Sequence, residues 1–384
     1  MASGSIHRCD LHLIMVVTVT VLRTCAPCPS VCNCTGTFYG NAYCNHKNLD
    51  RVPAGISTNT RFLRLEYNRL TRLPAGAFSG LSQLLRLTLY NNLITEIEDG
   101  TFSGLVALKK LHLGSNNINL LTNNTFQGVP NLEELSLSNN RLLSLGNGVF
   151  NQIPNLLELD VSHNGIREFP TEVSKYLSNV QVLDLSSNPA QLLLIQNTVG
   201  IFKQIVALQY LKLNKLSEVS NTAGEIRIPE STFDGLPNLT NLELNGNRLS
   251  KIPSAIKSLK NLKYISLHMN SIQSVGADDF HQPSLLEILL LDKNKLVEIP
   301  ASALAQLPHL TKLYLDFNPI STIPARAFWH NPRLTNLSLA YTNLTTIQED
   351  AFSGLDQLGS LNLQGNNLTT IKGGVMTHVN PKVS

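Results

Sequence analysis

Charge is scarce in this chain of 384 residues: Asp, Glu, Lys and Arg together make up 15%, and the formal net charge is only +3. A nucleic-acid clamp would need clustered Lys and Arg and a stronger positive balance, and the sequence has no such cluster. Aromatic residues amount to 6%, with a single Trp. Cysteine is absent after Cys44, which confines any disulfide framework to the N-terminus. No run reaches the eighteen apolar residues of a membrane helix. H-E-x-x-H, G-x-S-x-G and a phosphate loop are all missing. His112, His163 and His268 stand far apart with no Cys or carboxylate cluster around them. These absences predict no enzyme, no metal site, no cofactor and no nucleic-acid partner.

Leu and Asn are what the chain has in excess, with 67 and 40 residues. Disorder is excluded, because disordered chains are poor in Leu and rich in charge. The two residues rise together because both occupy fixed places in L-x-x-L-x-L-x-x-N-x-L. The Asn of this phrase falls at Asn68, Asn92, Asn116, Asn140, Asn164, Asn188, Asn247, Asn270, Asn294, Asn318 and Asn366, while Leu216 and Thr342 fill the column in two further units. Nine of the twelve intervals are 24 residues, and the others are 28, 31 and 23.

This phrase is identified as the leucine-rich repeat. It predicts thirteen units over residues 60–379, stacked as an α/β solenoid. The expected form is a horseshoe with a parallel sheet on its concave face and a mostly irregular or 3-10 convex side. Apolar residues such as Leu132, Leu135 and Leu137 should enter the core while their neighbours alternate outward. The Asn amide should satisfy turn backbone that would otherwise be buried unpaired. A Phe recurs about ten residues later, at Phe78, Phe102, Phe126, Phe150, Phe280, Phe328 and Phe352, and should fill the outer part of each coil. Leu216 should interrupt the Asn ladder. The long intervals beside it read as an inserted loop near 217–230, either a neutral insertion or a functional one.

At the other end, Leu11 to Leu22 form an uncharged apolar run behind Arg8, followed by the small-residue site Thr24-Cys25-Ala26. Residues 1–26 therefore read as a secretory signal peptide; twelve residues are too few to span a bilayer as a helix. Cleavage would remove Cys9 and Cys25 and leave Cys28, Cys32, Cys34 and Cys44, an even set suited to an oxidising compartment. Within 27–59 these four can cap the solenoid's first turn, as a terminal repeat requires. Zinc is the rival reading of four close cysteines, but the C-x-C spacing and the export signal favour disulfides.

The cap CPSVCNC, the nine-residue gap to Cys44 and Leu49-x-x-Val52-Pro53 resemble the fibromodulin and lumican branch of the small leucine-rich repeat proteoglycans. Leu262 to Pro283 looks like decorin and biglycan. The resemblance implies the pairs Cys28–Cys34 and Cys32–Cys44. It also implies a secreted, extracellular protein that binds matrix components, growth factors or cell-surface proteins. The sequence departs from that family in its even 24-residue spacing, and its Ser-Gly pairs lie inside the repeat phrase without acidic flanks.

Outward positions give the concave face three zones. Arg61, Arg64, Arg86, Lys109, Lys110 and His112 make a basic one. Glu133, Glu134, Glu158, Asp160 and Asp184 make an acidic one, and Tyr264, Met269, Tyr314, Phe317 and Tyr341 an aromatic one. Charged zones also occur on merely soluble faces, whereas clustered aromatics are typical of binding anchors. Six N-x-S/T sequons are candidate glycan sites: Asn33, Asn123, Asn238, Asn336, Asn343 and Asn367. The last repeat passes Met376 and runs into the tail 380–384 without a cap motif, which suggests, first, a truncated product, and otherwise an end covered by a partner, including a homodimer, or a frayed final turn. Two functions follow: a secreted matrix-binding protein, or the ectodomain of a recognition or adhesion receptor.

Overall fold

The computed structural model describes residues 28–36, 40–190, 193, 201–216, 226–369 and 375. The expected signal peptide, most of the expected inserted loop, Met376 and the tail 380–384 lie outside the described residues.

Thirteen repeat strands of three residues each, from Phe62–Arg64 to Ser360–Asn362, pair in parallel with equivalent residues side by side. Two cap strands precede them. Asn33–Thr35 runs antiparallel to Asn41–Tyr43, and the latter pairs in parallel with Phe62–Arg64, giving one sheet of fifteen strands. Disulfides join Cys28 to Cys34 and Cys32 to Cys44. Cys44 and Ala42 are buried against the first coil, so the cap closes the N-terminal end of the core.

The central residue of every repeat strand points inward and is buried, as at Leu63, Leu111, Leu211 and Leu337. Opposite the sheet the chain returns through turns and short helices: Thr171–Tyr176 and Ala301–Leu304 are α-helical, and Glu230–Phe233, Ser254–Ser258 and Ala277–Asp279 are 3-10. Two small parallel pairs, Arg72–Leu73 with Glu96–Ile97 and Thr322–Ile323 with Thr346–Ile347, interrupt this side.

Two inner columns hold the coils together. In the first, Asn116 Nδ2 donates to Leu113 O of its own coil (2.9 Å) and Leu89 O of the preceding one (3.0 Å), while its Oδ1 accepts from Ile94 N (3.0 Å). Asn92, Asn140 and Asn294 repeat this pattern. In the second, Phe78, Phe102, Phe126 and Phe150 form a buried stack with ring centroids 6.1–6.4 Å apart. Parallel strands sit about 4.8 Å apart, so the Phe side of each coil is wider than the strand side. That difference curves the solenoid and makes the sheet its concave face.

The Phe column is longer than a forward count from the Asn suggests. Phe202 and Phe233 are also fully buried, and both lie fourteen residues before the next ladder position, as Phe78 and Phe352 do. The extra residues of the two long intervals therefore fall between the ladder position and the Phe.

Candidate functional site

Strict register turns the outward positions into rows that run along the solenoid. One row reads Arg86, Lys110, Glu134, Glu158, Val182, Tyr210, Asn241, Tyr264 and Ile288. The next reads Arg64, Thr88, His112, Ser136, Asp160, Asp184, Lys212 and Glu243, with Tyr314 further on. Arg64, Arg86, Lys110, Glu134, Glu158 and Asp160 all face solvent on the concave side.

Where the basic and acidic zones meet, they neutralise each other. Lys109 pairs with Glu133 at 2.7 Å, and Glu134 receives both Lys110 and His112. Burial raises the affinity of the Glu134 carboxyl for its proton, but the hydrogen bonds from Lys110 and His112 outweigh it and leave the group below its ordinary value. Beyond this border lies an open groove of about 520 Å³, lined by His112, Glu134, Glu158, Asp160, Asp184 and Lys212. Small residues, Gly114, Ser115, Ser136 and Ser138, line it as well.

Asp160 is held by Ser162, whose N–H and hydroxyl donate to its Oδ1 at 3.0 and 2.6 Å. Asp184 accepts from Ser186 N at 2.9 Å and has Lys212 Nζ at 3.7 Å. Burial pushes the Asp184 carboxyl above its ordinary value and the charge of Asp160 adds to this, against the opposing bonds from Ser186 and the attraction of Lys212. An acid with a raised value in the folded chain penalises folding once the pH exceeds the ordinary aspartate range, and the penalty fades as pH falls below it. Asp184→Asn, which keeps an acceptor for Ser186 N, should therefore raise the melting temperature at neutral pH and lose that gain near pH 3. Equal gains at both pH values would contradict this origin.

The aromatic zone is drawn from two backbone settings. Met269, Phe317 and Tyr341 are not strand residues; each immediately precedes a ladder position and has left-handed backbone, with φ of 56°, 54° and 53°. Strand alternation does not assign direction there, because left-handed backbone is not strand backbone. Phe317 and Tyr341 stack with centroids 4.9 Å apart, and Lys293 Nζ lies 5.6 Å from the Phe317 centroid. Tyr264 stands in a strand row between Asn241 and Ile288, and Tyr314 stands between Leu290 and Ser338 in the other row. Tyr210, Lys212 and Glu243 also belong to the face, with the Tyr210 hydroxyl donating to Glu243. Sequence reading passed over them because the irregular intervals surround their strands.

The sequons occupy different settings. Asn33, Asn123, Asn238, Asn343 and Asn367 are exposed, whereas Asn336 is half-buried on the concave sheet, where its Oδ1 accepts from Thr335 Oγ1 (2.9 Å). Asn238 Nδ2 already donates to Val206 O at 2.9 Å. That bond belongs to a second Asn column, in which Asn131, Asn155, Asn179 and Asn261 likewise donate to the preceding coil.

Comparison with known proteins agrees with this architecture. The leucine-rich repeat family model matches residues 58–118, 86–142, 130–190, 226–272, 237–296, 284–343 and 332–380. The chain belongs to the leucine-rich repeat family. Human leucine-rich repeat-containing protein 4C is 40% identical over 74 residues, which is 19% of this chain and 11% of that protein. Bovine asporin is 35% identical over 81 residues, covering 21% and 20% of the two chains. The chain thus spans a fifth or less of these two curated relatives. Among solved structures, the Drosophila Toll–Spatzle complex aligns with a TM-score of 0.68 at 23% identity, over 83% of this chain and 43% of that one. A leucine-rich repeat protein of Leptospira interrogans aligns with 0.62 at 25%, over 88% and 93%. Leucine-rich repeat proteins are in general scaffolds for protein interaction. No helix among the described residues is long and apolar enough to cross a membrane.

Proposed function

We propose that this leucine-rich repeat protein is a non-enzymatic, secreted scaffold that binds an extracellular protein ligand on its concave face. The observation that carries the reading is the groove over Glu158, Asp160 and Asp184. These acids line an open groove together with small side chains, and at Asp184 burial makes the charge unfavourable for folding. A ligand offering Lys or Arg would offset that cost and could lie in the groove. Charge of this kind sets specificity and association rate more than affinity. Tyr264 and Tyr314 supply aromatic surface further along the same face.

The N-terminal cysteine spacing and the match to asporin support a relation to the small leucine-rich repeat proteoglycans and an extracellular setting. The alternative is that the chain is the ectodomain of a recognition or adhesion receptor. Both readings use the same face.

The test is an array of purified matrix components, growth factors and cell-surface proteins probed with three forms of the chain. Wild type and the convex-side variant Trp329→Ala should bind the same subset. Glu158→Lys combined with Asp160→Asn should lose it while its melting temperature stays near that of wild type. Binding that survives the concave change and fails with Trp329→Ala would overturn the proposal.

A further inference from the structure

The basic end of the concave sheet lies outside the acidic groove, and its cations differ from their neighbours in being unpaired. Lys109 and Lys110, one strand further on, hold Glu133 and Glu134. Arg61, Arg64 and Arg86 form no ion pair among the described residues. Glu66, two residues after Arg64, is only 4% exposed and accepts from Thr88 Oγ1.

The strands bring the three arginines together. Phe62–Arg64 and Arg86–Thr88 are neighbours in register, so Arg86 stands beside Phe62 and Arg64 beside Thr88. Phe62, Arg64 and Arg86 alternate with the buried Leu63 and Leu87 and so point away from the core. Arg61 precedes the first of these strands, and its N–H and that of Phe62 both donate to Gly40 O of the cap. The Arg64 guanidinium carbon lies 5.4 Å from the Tyr43 ring centroid. Parallel strands are about 4.8 Å apart, so the three cations share one small area.

Beside Arg61 is an open groove of about 490 Å³, lined also by Phe62, Asn41, Asn59 and Gln83. Phe62 is 43% exposed. Among the described residues, the Asn41, Asn59 and Gln83 side chains have no hydrogen-bond partner. Each amide both donates and accepts, which suits a hydroxyl. An acidic protein segment would meet the guanidiniums equally well. Three free amides and an exposed aromatic ring in the same groove favour a hydroxyl-dense sugar with an apolar C–H face.

We propose that the N-terminal end of the concave sheet binds a sulfated polysaccharide, with sulfates on Arg61, Arg64 and Arg86 and a sugar ring in the adjoining groove. The planar guanidinium offers parallel N–H donors to an oxyanion, a geometry that a lysine ammonium lacks. This site goes beyond the protein-binding reading and shares with it only the extracellular setting, where such polysaccharides occur.

The experiment titrates the purified full chain with a fluorescent heparin octasaccharide at about 0.15 M salt. The same oligosaccharide stripped of sulfate and a glutamate peptide of equal charge are the comparison probes. Wild type should bind heparin well above both. Arg61→Gln, Arg64→Gln and Arg86→Gln together should weaken heparin binding by about tenfold or more, with the melting temperature unchanged. Arg141→Gln, Arg167→Gln and Arg326→Gln remove the same charge from other exposed positions and should change it by less than about twofold. No heparin binding by the wild type overturns the proposal. So do equal losses in the two triple variants, which would mean that net charge alone acts. Desulfated probe binding as tightly as heparin contradicts it too, and an equally tight glutamate peptide would mark a site for acidic protein instead. The readout uses no protein ligand, so it stands or falls apart from the acidic groove.

Discussion

Phe126→Ala should destabilise the chain by about 3–5 kcal/mol, the usual cost of emptying a buried aromatic site. Phe126 is fully buried and stacks on Phe102 and Phe150, each at 6.4 Å. The rings above and below belong to different coils, so the substitution removes contacts on both sides of one turn. In a solenoid, stability is close to a sum of coil and neighbour terms. A weak coil inside the stack should therefore broaden the urea transition as well as lower its midpoint. Phe126→Leu should recover most of the loss. A loss under about 1 kcal/mol, typical of a surface change, would mean that the Phe column does not hold the coils together.

Asn116→Ala should cost a comparable amount through a different mechanism. The amide serves Leu89 O, Leu113 O and Ile94 N, and all three groups lie where water cannot replace it. Each buried group left without a partner costs about 1–3 kcal/mol. Asn116→Thr should be milder, and the chain itself shows why. Thr342 occupies the same column, and its hydroxyl has two acceptors for its one proton, Asn366 Oδ1 at 2.6 Å and Leu339 O at 3.2 Å. Leu216 also occupies the column and offers no polar atom, yet the break is confined to one rung. Asn247 Oδ1 accepts from Leu216 N at 2.8 Å, and its Nδ2 donates to Leu213 O at 2.7 Å. Chemical denaturation of the Ala and Thr variants should rank them in that order; equal stabilities would show that the ladder amide contributes little beyond its shape.

Much of this frame can be read from the amino acids because each coil repeats the same physical demands. Leu135 and Leu137 must enter the core, and Asn140 must satisfy buried backbone, so periodicity alone locates them. Spacing counted forward from Asn188 and Leu216 fails at Phe202 and Phe233 because the insertions precede the Phe. The second Asn column looks unremarkable in sequence, since its bonds, such as Asn155 Nδ2 to Pro130 O, join coils rather than neighbours in the chain.

The face was legible in a more limited way. Alternation places Glu158 and Asp160 outward, but it does not apply past the strand, where Met269, Phe317 and Tyr341 have left-handed backbone. Pairings such as His112 with Glu134 depend on which side chains in adjacent coils reach one another. That is a property of the folded stack, and so is the raised proton affinity of Asp184.

The concave face as the working surface is most directly tested by photocrosslinking. One photoreactive residue is placed at Ser138, which lines the groove, and another, in a separate variant, at His330 on the opposite side. Each is illuminated with the protein that binds best on the array. The account predicts a covalent adduct from position 138 and none from position 330. An adduct from position 330 with none from position 138 would contradict it.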